Sequence, residues 1–231
     1  MIKVCLHNHT FYSRYALNTI EDFQQIFDEK KLDKIAITDH NFLKSAQEFQ
    51  KYFGENKVIV GEEIETKNGE IIGLFLKKFV PSGLSLERIC HLIKAQGGIV
   101  YVPHPFLKKR QGGIGIQGLE RIKDYIDVVE IYNGWVHRSI KWPGTSEKLN
   151  KKAENWAQKN HKLMFCSTDS HFRTNIGTCY TEMEDFSGPE EFLIALKKKV
   201  KFIKRKNKLN LLALRTQLKG ILNNDILKFI K

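Results

Sequence analysis

The chain has 231 residues, 42% of them hydrophobic and 28% charged, which is the balance of a globular protein with one sizeable core. No apolar run approaches the roughly 18 residues of a membrane span, and the amino terminus lacks the apolar stretch of a secretory signal, so a cytoplasmic protein is expected. The four cysteines (Cys5, Cys90, Cys166 and Cys179) are scattered with no Cys-x-x-Cys pair, which argues against a thiolate zinc site or a disulfide framework.

In chain order, the apolar run from Ile2 to Leu6 reads as a strand and ends in His7-Asn8-His9. On an extended backbone residues i and i+2 point to one side, so the two imidazoles share a centre. Asn18 or Thr19 caps a helix reaching about Lys31, with Glu21 and Asp22 in its first turn. A second strand, Lys34 to Thr38, ends in Asp39-His40, and a helix follows from Leu43 to Phe53. A third strand, Lys57 to Gly61, runs into Glu62-Glu63-Ile64-Glu65, and the Asn68-Gly69 turn makes a hairpin with a fourth, Ile71 to Leu76. Ser85 caps a helix ending at Gly97-Gly98, and a fifth strand, Ile99 to Val102, ends in Pro103-His104-Pro105. A basic, glycine-rich loop at 108–116 and a helix over Gly118 to Tyr125 precede a sixth strand, Asp127 to Ile131, which carries Glu130. A helix over Glu147 to Asn160 leads to a seventh strand, Leu163 to Cys166, followed by Ser167-Thr168-Asp169-Ser170-His171. Pro189 opens a helix whose period continues through Val200, and 207–231 read as short terminal helices.

The alternation of short strands and helices predicts an α/β fold with a largely parallel sheet. His7, His9, His40, Glu63, His104, Glu130, Asp169 and His171 all fall at carboxyl ends of predicted strands, where the active sites of α/β barrels are built. Nitrogen and oxygen donors without thiolates suit Zn, Mn or Fe ions. Eight candidate ligands exceed what one tetrahedral ion uses, so two or three divalent ions sharing a bridging carboxylate are expected.

These motifs resemble the PHP (polymerase and histidinol phosphatase) domains, metal-dependent phosphoesterases on an irregular seven-stranded barrel. The resemblance covers residues 2 to about 200 through HNHT at 7–10, AITDHN at 36–41, GEEIET at 61–66, HP at 104–105, EIYN at 130–133 and STDSH at 167–171. GEIIGLFL at 69–76 with PHPF at 103–106 is similar to a branch of small, stand-alone members. The resemblance implies one ion on His7, His9, Glu63 and Asp169, a second bridged by Glu63 and held by His104 and Glu130, and a third on His40 and His171. Glu63 follows the family's Gly-x-Glu pattern, with Glu65 on the same strand face as the fallback. The family usually reads His-x-His-Thr-x-x-Ser-Asp-Gly, and its Asp can ligate the third ion. Here those positions are Ser13, Arg14 and Tyr15, and a guanidinium cannot ligate a metal.

The expected architecture is therefore a distorted TIM-like (β/α)7 barrel over residues 1–200, with a basic helical extension over 201–231 packing on it. The expected activity is hydrolysis of a phosphate ester by a metal-bound hydroxide, with His171 or Asp169 relaying a proton and Arg14, Arg110 and Arg173 as phosphate forks. The substrate would be a small phosphorylated molecule or nucleotide. Two other classes share features with this reading: amidohydrolase-like enzymes acting on C–N bonds, and a metal-stabilised nucleic-acid-binding module. For the latter, residues 197–208 carry eight Lys or Arg and no acid within a net charge of +12. That segment either tracks nucleic-acid phosphates or is a solvated helix and linker.

Overall fold

The structure, a computed structural model, describes residues 1–108, 112–134 and 145–205. Its strands are β1 (Ile2–Cys5), β2 (Lys34–Ile37), β3 (Val58–Thr66), β4 (Gly69–Leu74), β5 (Ile99–Val102), β6 (Val128–Asn133), β7 (Leu163–Ser167), β8 (Tyr180–Met183) and β9 (Lys201–Ile203). The helices are α1 (Ile20–Asp28), α2 (Leu43–Phe53), α3 (Leu86–Lys94), α4 (Gly115–Arg121), α5 (Thr145–Lys159) and α6 (Gly188–Lys197). The strands form one sheet in the order β7-β6-β5-β4-β3-β2-β1-β8-β9, curled into a nearly closed, distorted TIM-like barrel.

Alternation along each strand separates two apolar layers. Ile35, Ile37, Val58, Val60, Val100, Val102 and Val129 face outward and pack with Phe23, Phe49, Ile89 and Ile93 of the helices. Val4, Leu6, Ala36, Ile59, Ile72, Leu74, Tyr101, Val128 and Phe165 face inward. The bottom of the barrel is closed by Phe186 and Phe192, whose rings stand 5.1 Å apart, with Phe165 6.1 Å from Phe192. Full burial of a side chain such as Phe192 is worth about 1.5–3 kcal/mol. Local signals agree with the helix ends: Thr19 and Asp22 form a reciprocal capping box on α1, and Ser85 caps α3.

The sheet departs from the expected largely parallel arrangement. β4 pairs antiparallel with both β3 and β5, and β8 pairs antiparallel with β1 and β9. The reversal at β4 is the Asn68-Gly69 hairpin, where Gly69 adopts φ +128°. A Cβ there would sit 2.7 Å from the Gly112 carbonyl oxygen, so this turn accepts only glycine. β8 and β9 are additional strands, too short for their alternation to register in the sequence. Residues 201–203, expected at the start of a helical extension, are instead β9, because Phe202 and Ile203 fold back on β8. The expected terminal helices at 207–231 lie outside the described residues.

At the seam, β7 meets β1 and β8 through side chains. Thr181 Oγ1 accepts from the Cys166 N–H (3.1 Å) and donates to its carbonyl (3.3 Å), Ser167 Oγ accepts from Leu6 N–H (3.3 Å), and Asn8 bridges to Ser170. The loops after β1 and β7, which carry the candidate ligands His7, His9, Asp169 and His171, are thereby fastened to each other.

Candidate metal centre

Just past β1, Asn8 turns away from its neighbours and donates to Cys5 O (3.1 Å) and Ala36 O (3.0 Å). This leaves His7 and His9 on the opposite side, their Nε2 atoms 3.1 Å apart. Asp39 is not part of the cluster; it accepts from Thr10 N–H (2.7 Å) and Thr10 Oγ1 (2.6 Å) and so fixes the loop after His9. His104 (φ +27°) and Asp169 (φ +55°) hold left-handed backbone conformations that a non-glycine residue rarely adopts, as does Asn41 (φ +52°) beside His40. Such strain persists only where the surroundings enforce it.

Glu63 is at the middle of the cluster. Its Oε2 lies 3.3 Å from His7 Nε2, 3.2 Å from His9 Nε2 and 3.3 Å from His40 Nε2, while Oε1 lies 3.1 Å from His104 Nε2. Asp169 Oδ1 lies 3.5, 3.2 and 3.3 Å from His7 Nε2, His9 Nε2 and His171 Nδ1. Strand alternation sends the neighbouring Glu62 to the outer layer, where its carboxylate accepts from Val80 N–H, and Glu65 is exposed. Glu63 is thus the one glutamate of the run that reaches the histidines.

Glu130 behaves differently from the ligand expected at its position. Oε1 accepts from His7 Nδ1 (3.1 Å) and Tyr101 OH (2.9 Å), and Oε2 from His104 N–H (2.8 Å) and Asn133 Nδ2 (2.8 Å). Both oxygens are occupied by protein donors. With Nδ1 donating to a carboxylate, His7 presents its Nε2 lone pair to the cluster. Ser13 does similar work behind two other rings, its Oγ standing 3.1 Å from His9 Nδ1 and 3.3 Å from His40 Nδ1.

Electrostatically the cluster is built to receive positive charge. Burial alone pushes Glu63 up, yet His7, His40 and His104 hold its carboxyl well below the usual carboxylate range, and His7, His9 and His171 do the same for Asp169. Burial lowers the imidazoles, but Glu63 and Asp169 raise His9 to about 9, and Glu63 and Glu70 raise His104 to about 9. His171 stays neutral, pressed down to about 3 by burial and by His9. Asp169 Oδ1 is buried without a hydrogen bond, although three imidazoles surround it. Three sets of donor atoms, His7–His9–Asp169, His7–Glu63–His104 and His9–His40–Glu63, each lie within 4.8 Å of one another. An orphaned carboxylate oxygen among converging nitrogens fits a divalent cation.

Of the residues named from the sequence, His7, His9, His40, Glu63, His104, Asp169 and His171 converge. Arg173 turns away to Gln25 and Asp22 of α1. Arg14 is exposed, its guanidinium 4.8 Å over the ring of Tyr15. Tyr15 occupies the usual glycine position of the pattern and keeps a left-handed φ of +67°. Arg110 lies outside the described residues. In the basic segment, Lys198, Lys201 and Lys204 face Glu184, Glu182 and Glu154, which neutralises part of its charge.

One site residue was missed. Glu70 of β4 places its oxygens 3.8 Å from His40 Nε2 and 3.7 Å from His104 Nε2. Burial and Glu63 raise its carboxyl to about 7. β4 runs antiparallel, so its amino end, not its carboxyl end, reaches the site. The available signal was alternation: Glu70 shares a face with inward Ile72 and Leu74.

Residues 147–200 match the family model described as PHP-associated. An uncharacterised protein of Methanocaldococcus jannaschii is 34% identical over 206 residues, covering 85% of this chain and 79% of that protein. A two-domain protein of Bacteroides vulgatus containing a PHP-like metal-dependent phosphoesterase superposes with a TM-score of 0.65 at 16% identity, covering 88% of this chain. This chain spans 65% of that protein, just under two thirds. Endonuclease Q, bound to a 27-mer duplex with an abasic lesion at its active site, superposes with a TM-score of 0.54 at 14% identity, covering 85% of this chain and 56% of that one. With the ordered motifs meeting in one buried cluster on a distorted barrel, the chain belongs to the PHP family.

Proposed function

We propose that the protein hydrolyses a phosphate ester at this cluster with the help of divalent ions. The observation that carries the reading is the placement of Glu63, one oxygen toward His7, His9 and His40 and the other toward His104. A carboxylate so divided suits a bridge between two cations, one held with His7, His9 and Asp169 and the other with His104. When bound, such ions activate water and neutralise charge on a phosphoryl group during in-line displacement.

The chain's own groups supply the rest. Glu130 orients His7, and Ser13 orients His9 and His40, so the imidazoles need no reorganisation when substrate arrives. His40, with a quarter of its side chain exposed, and His171 lie where a third ion or a phosphate oxygen would enter. His171 is neutral, so its ring offers a lone pair that can join a third ion or take a proton from water. Glu70 adds a carboxylate between His40 and His104, able to join the second ion or accept a proton from water. Arg14 stands near the rim as a cation that an arriving phosphate would draw inward.

Hydrolysis of C–N bonds is less well supported: among the described residues the cluster has a glutamate in the bridging place and no lysine. The reading is tested by assaying a phosphomonoester and a phosphodiester with Mn²⁺, before and after chelation. Hydrolysis should appear with metal, vanish on chelation and return on re-addition; hydrolysis indifferent to chelation contradicts it.

A further inference from the structure

We propose that Phe11, Tyr12 and Phe42 form a stacking ledge for the base of a nucleoside phosphate whose phosphate lies at the metal cluster. This rests on the phosphoesterase reading and names the substrate class within it.

Four large side chains in one seven-residue stretch after His9 are left in solvent: Phe11 is 50% exposed, Tyr12 43%, Tyr15 38% and Leu17 43%. A concentration of exposed aromatic surface beside a buried polar site marks a binding surface. The stretch is firmly held. Thr10 is bonded to Asp39, Phe11 N–H donates to Asn18 O (3.0 Å), Ser13 N–H to Thr10 O (2.9 Å) and Leu17 N–H to His171 O (2.8 Å). Its anchor is Ser13, whose Oγ accepts from His40 N–H at 2.9 Å and touches the His9 ring. Tyr12 therefore adjoins the residue packed against two imidazoles, and Phe42 follows His40 by two positions. Tyr12 and Phe42 thus lie within two residues of the Ser13–His40 contact, and His40 has a quarter of its side chain exposed.

Their arrangement suits a base. Phe11 and Tyr12 centroids are 4.4 Å apart with planes inclined by 30°, and Tyr12 and Phe42 are 5.1 Å apart, inclined by 25°. Tyr12 OH is held by Glu48 at 3.0 Å, which fixes its plane. A row of nearly parallel rings with an open end continues naturally onto a flat heterocycle. Arg14, in the same stretch, supplies positive charge for the phosphate attached to that heterocycle, within a chain of net charge +12. A sugar phosphate would use the cation and the cluster but leave the rings uncovered. A nucleotide uses all three. The base can come from a free mononucleotide or from one residue of a single strand.

The test is equilibrium binding to Mn²⁺-loaded protein of the methylenephosphonate analogues of adenosine monophosphate and ribose phosphate, whose C–P bonds resist turnover. The adenosine analogue should bind about tenfold tighter than the ribose analogue. Phe11→Ala and Tyr12→Ala should each remove most of that preference while leaving ribose-analogue binding unchanged, and Phe11→Trp should retain it. Loss of both ligands in the alanine variants with no rescue by tryptophan would mean a structural role and overturn the proposal. Equal binding of the two analogues to wild type would also overturn it. So would a Phe11→Ala change from dimer to monomer with the base preference intact, because the ledge would then belong to a second copy. A short phosphorothioate oligodeoxyadenylate separates the sources: tight, steeply salt-dependent binding identifies a strand, and tighter mononucleotide binding identifies a free nucleotide. Ring-dependent base preference with no hydrolysis of any phosphoester would leave the ledge and remove the phosphoesterase reading. Hydrolysis of ribose phosphate without base preference would do the reverse.

Discussion

His7 and Glu130 are paired in full burial, with Nδ1 of the imidazole 3.1 Å from Oε1 of the carboxylate. The carboxylate stands behind the ring and fixes which nitrogen is free for the cluster. Glu130→Gln keeps the shape but removes the charge that makes His7 a stronger donor. Metal affinity, measured by competition with a chromophoric chelator, should fall by about 10–100-fold. Unchanged affinity would show that His7 needs no such support.

Glu70 offers a second test from the antiparallel strand. A Cβ on Gly112 would sit 1.6 Å from Glu70 Oε2, so Gly112→Ala must displace that carboxylate. Both Gly112→Ala and Glu70→Gln should weaken the ion nearest His104 by about tenfold, leaving the ion at His7 and His9 less affected. Stepwise metal titration would resolve the two. Equal loss at both positions would place Glu70 in a general structural role.

The cluster also sets a pH dependence. In the metal-free protein His9 and His104 titrate near 9, against 6.5 in the unfolded chain. A raised imidazole pKa means stability that is fully present below pH 6.5 and is lost as pH rises through about 9. Metal-free protein should therefore melt at progressively lower temperature across that window. Metal-saturated protein should lack this slope, because the ligating nitrogens are already deprotonated. Parallel melting curves of both forms would contradict the assignment.

Arg14 occupies a rim position where the family pattern often has a carboxylate. Its guanidinium lies 4.8 Å over the ring of Tyr15. Attraction to substrate phosphate should bring it inward, so Arg14→Ala should raise KM for phosphoesters several-fold more than it lowers kcat. Arg14→Asp restores an oxygen donor beside His40 and should hold an additional ion more tightly. Unchanged kinetics together with no added metal would make the position ordinary surface.

How legible this protein was depended on strand direction. The candidate ligands His7, His9, His40, Glu63 and His104 could be singled out because a polar residue closing an apolar run stands out, although β3 continues to Thr66 and leaves Glu63 within the strand. Asp169 and His171 followed from the same rule at β7. Glu70 did not, since on the antiparallel β4 it opens the strand and looks like a turn residue. Glu130 lies behind His7, and the partners of its carboxylate were not readable, because only coordinates reveal Tyr101, Asn133 and the His104 N–H filling both its oxygens. β8 and β9 were missed because three or four residues of mixed polarity carry no clear period. Arg173 illustrates the opposite error: nearness in sequence to His171 did not bring it to the site, because Asp22 and Gln25 claim it.

The most direct test is elemental analysis of wild type and Glu63→Gln after identical Mn²⁺ or Zn²⁺ loading and desalting. Among the described carboxylates Glu63 alone reaches His7, His9, His40 and His104, and glutamine in its place would remove a negative charge from between the two proposed cations. The account predicts at least two ions per wild-type chain and a joint fall at both positions in the variant, with folding intact by circular dichroism. Full occupancy in Glu63→Gln would contradict it.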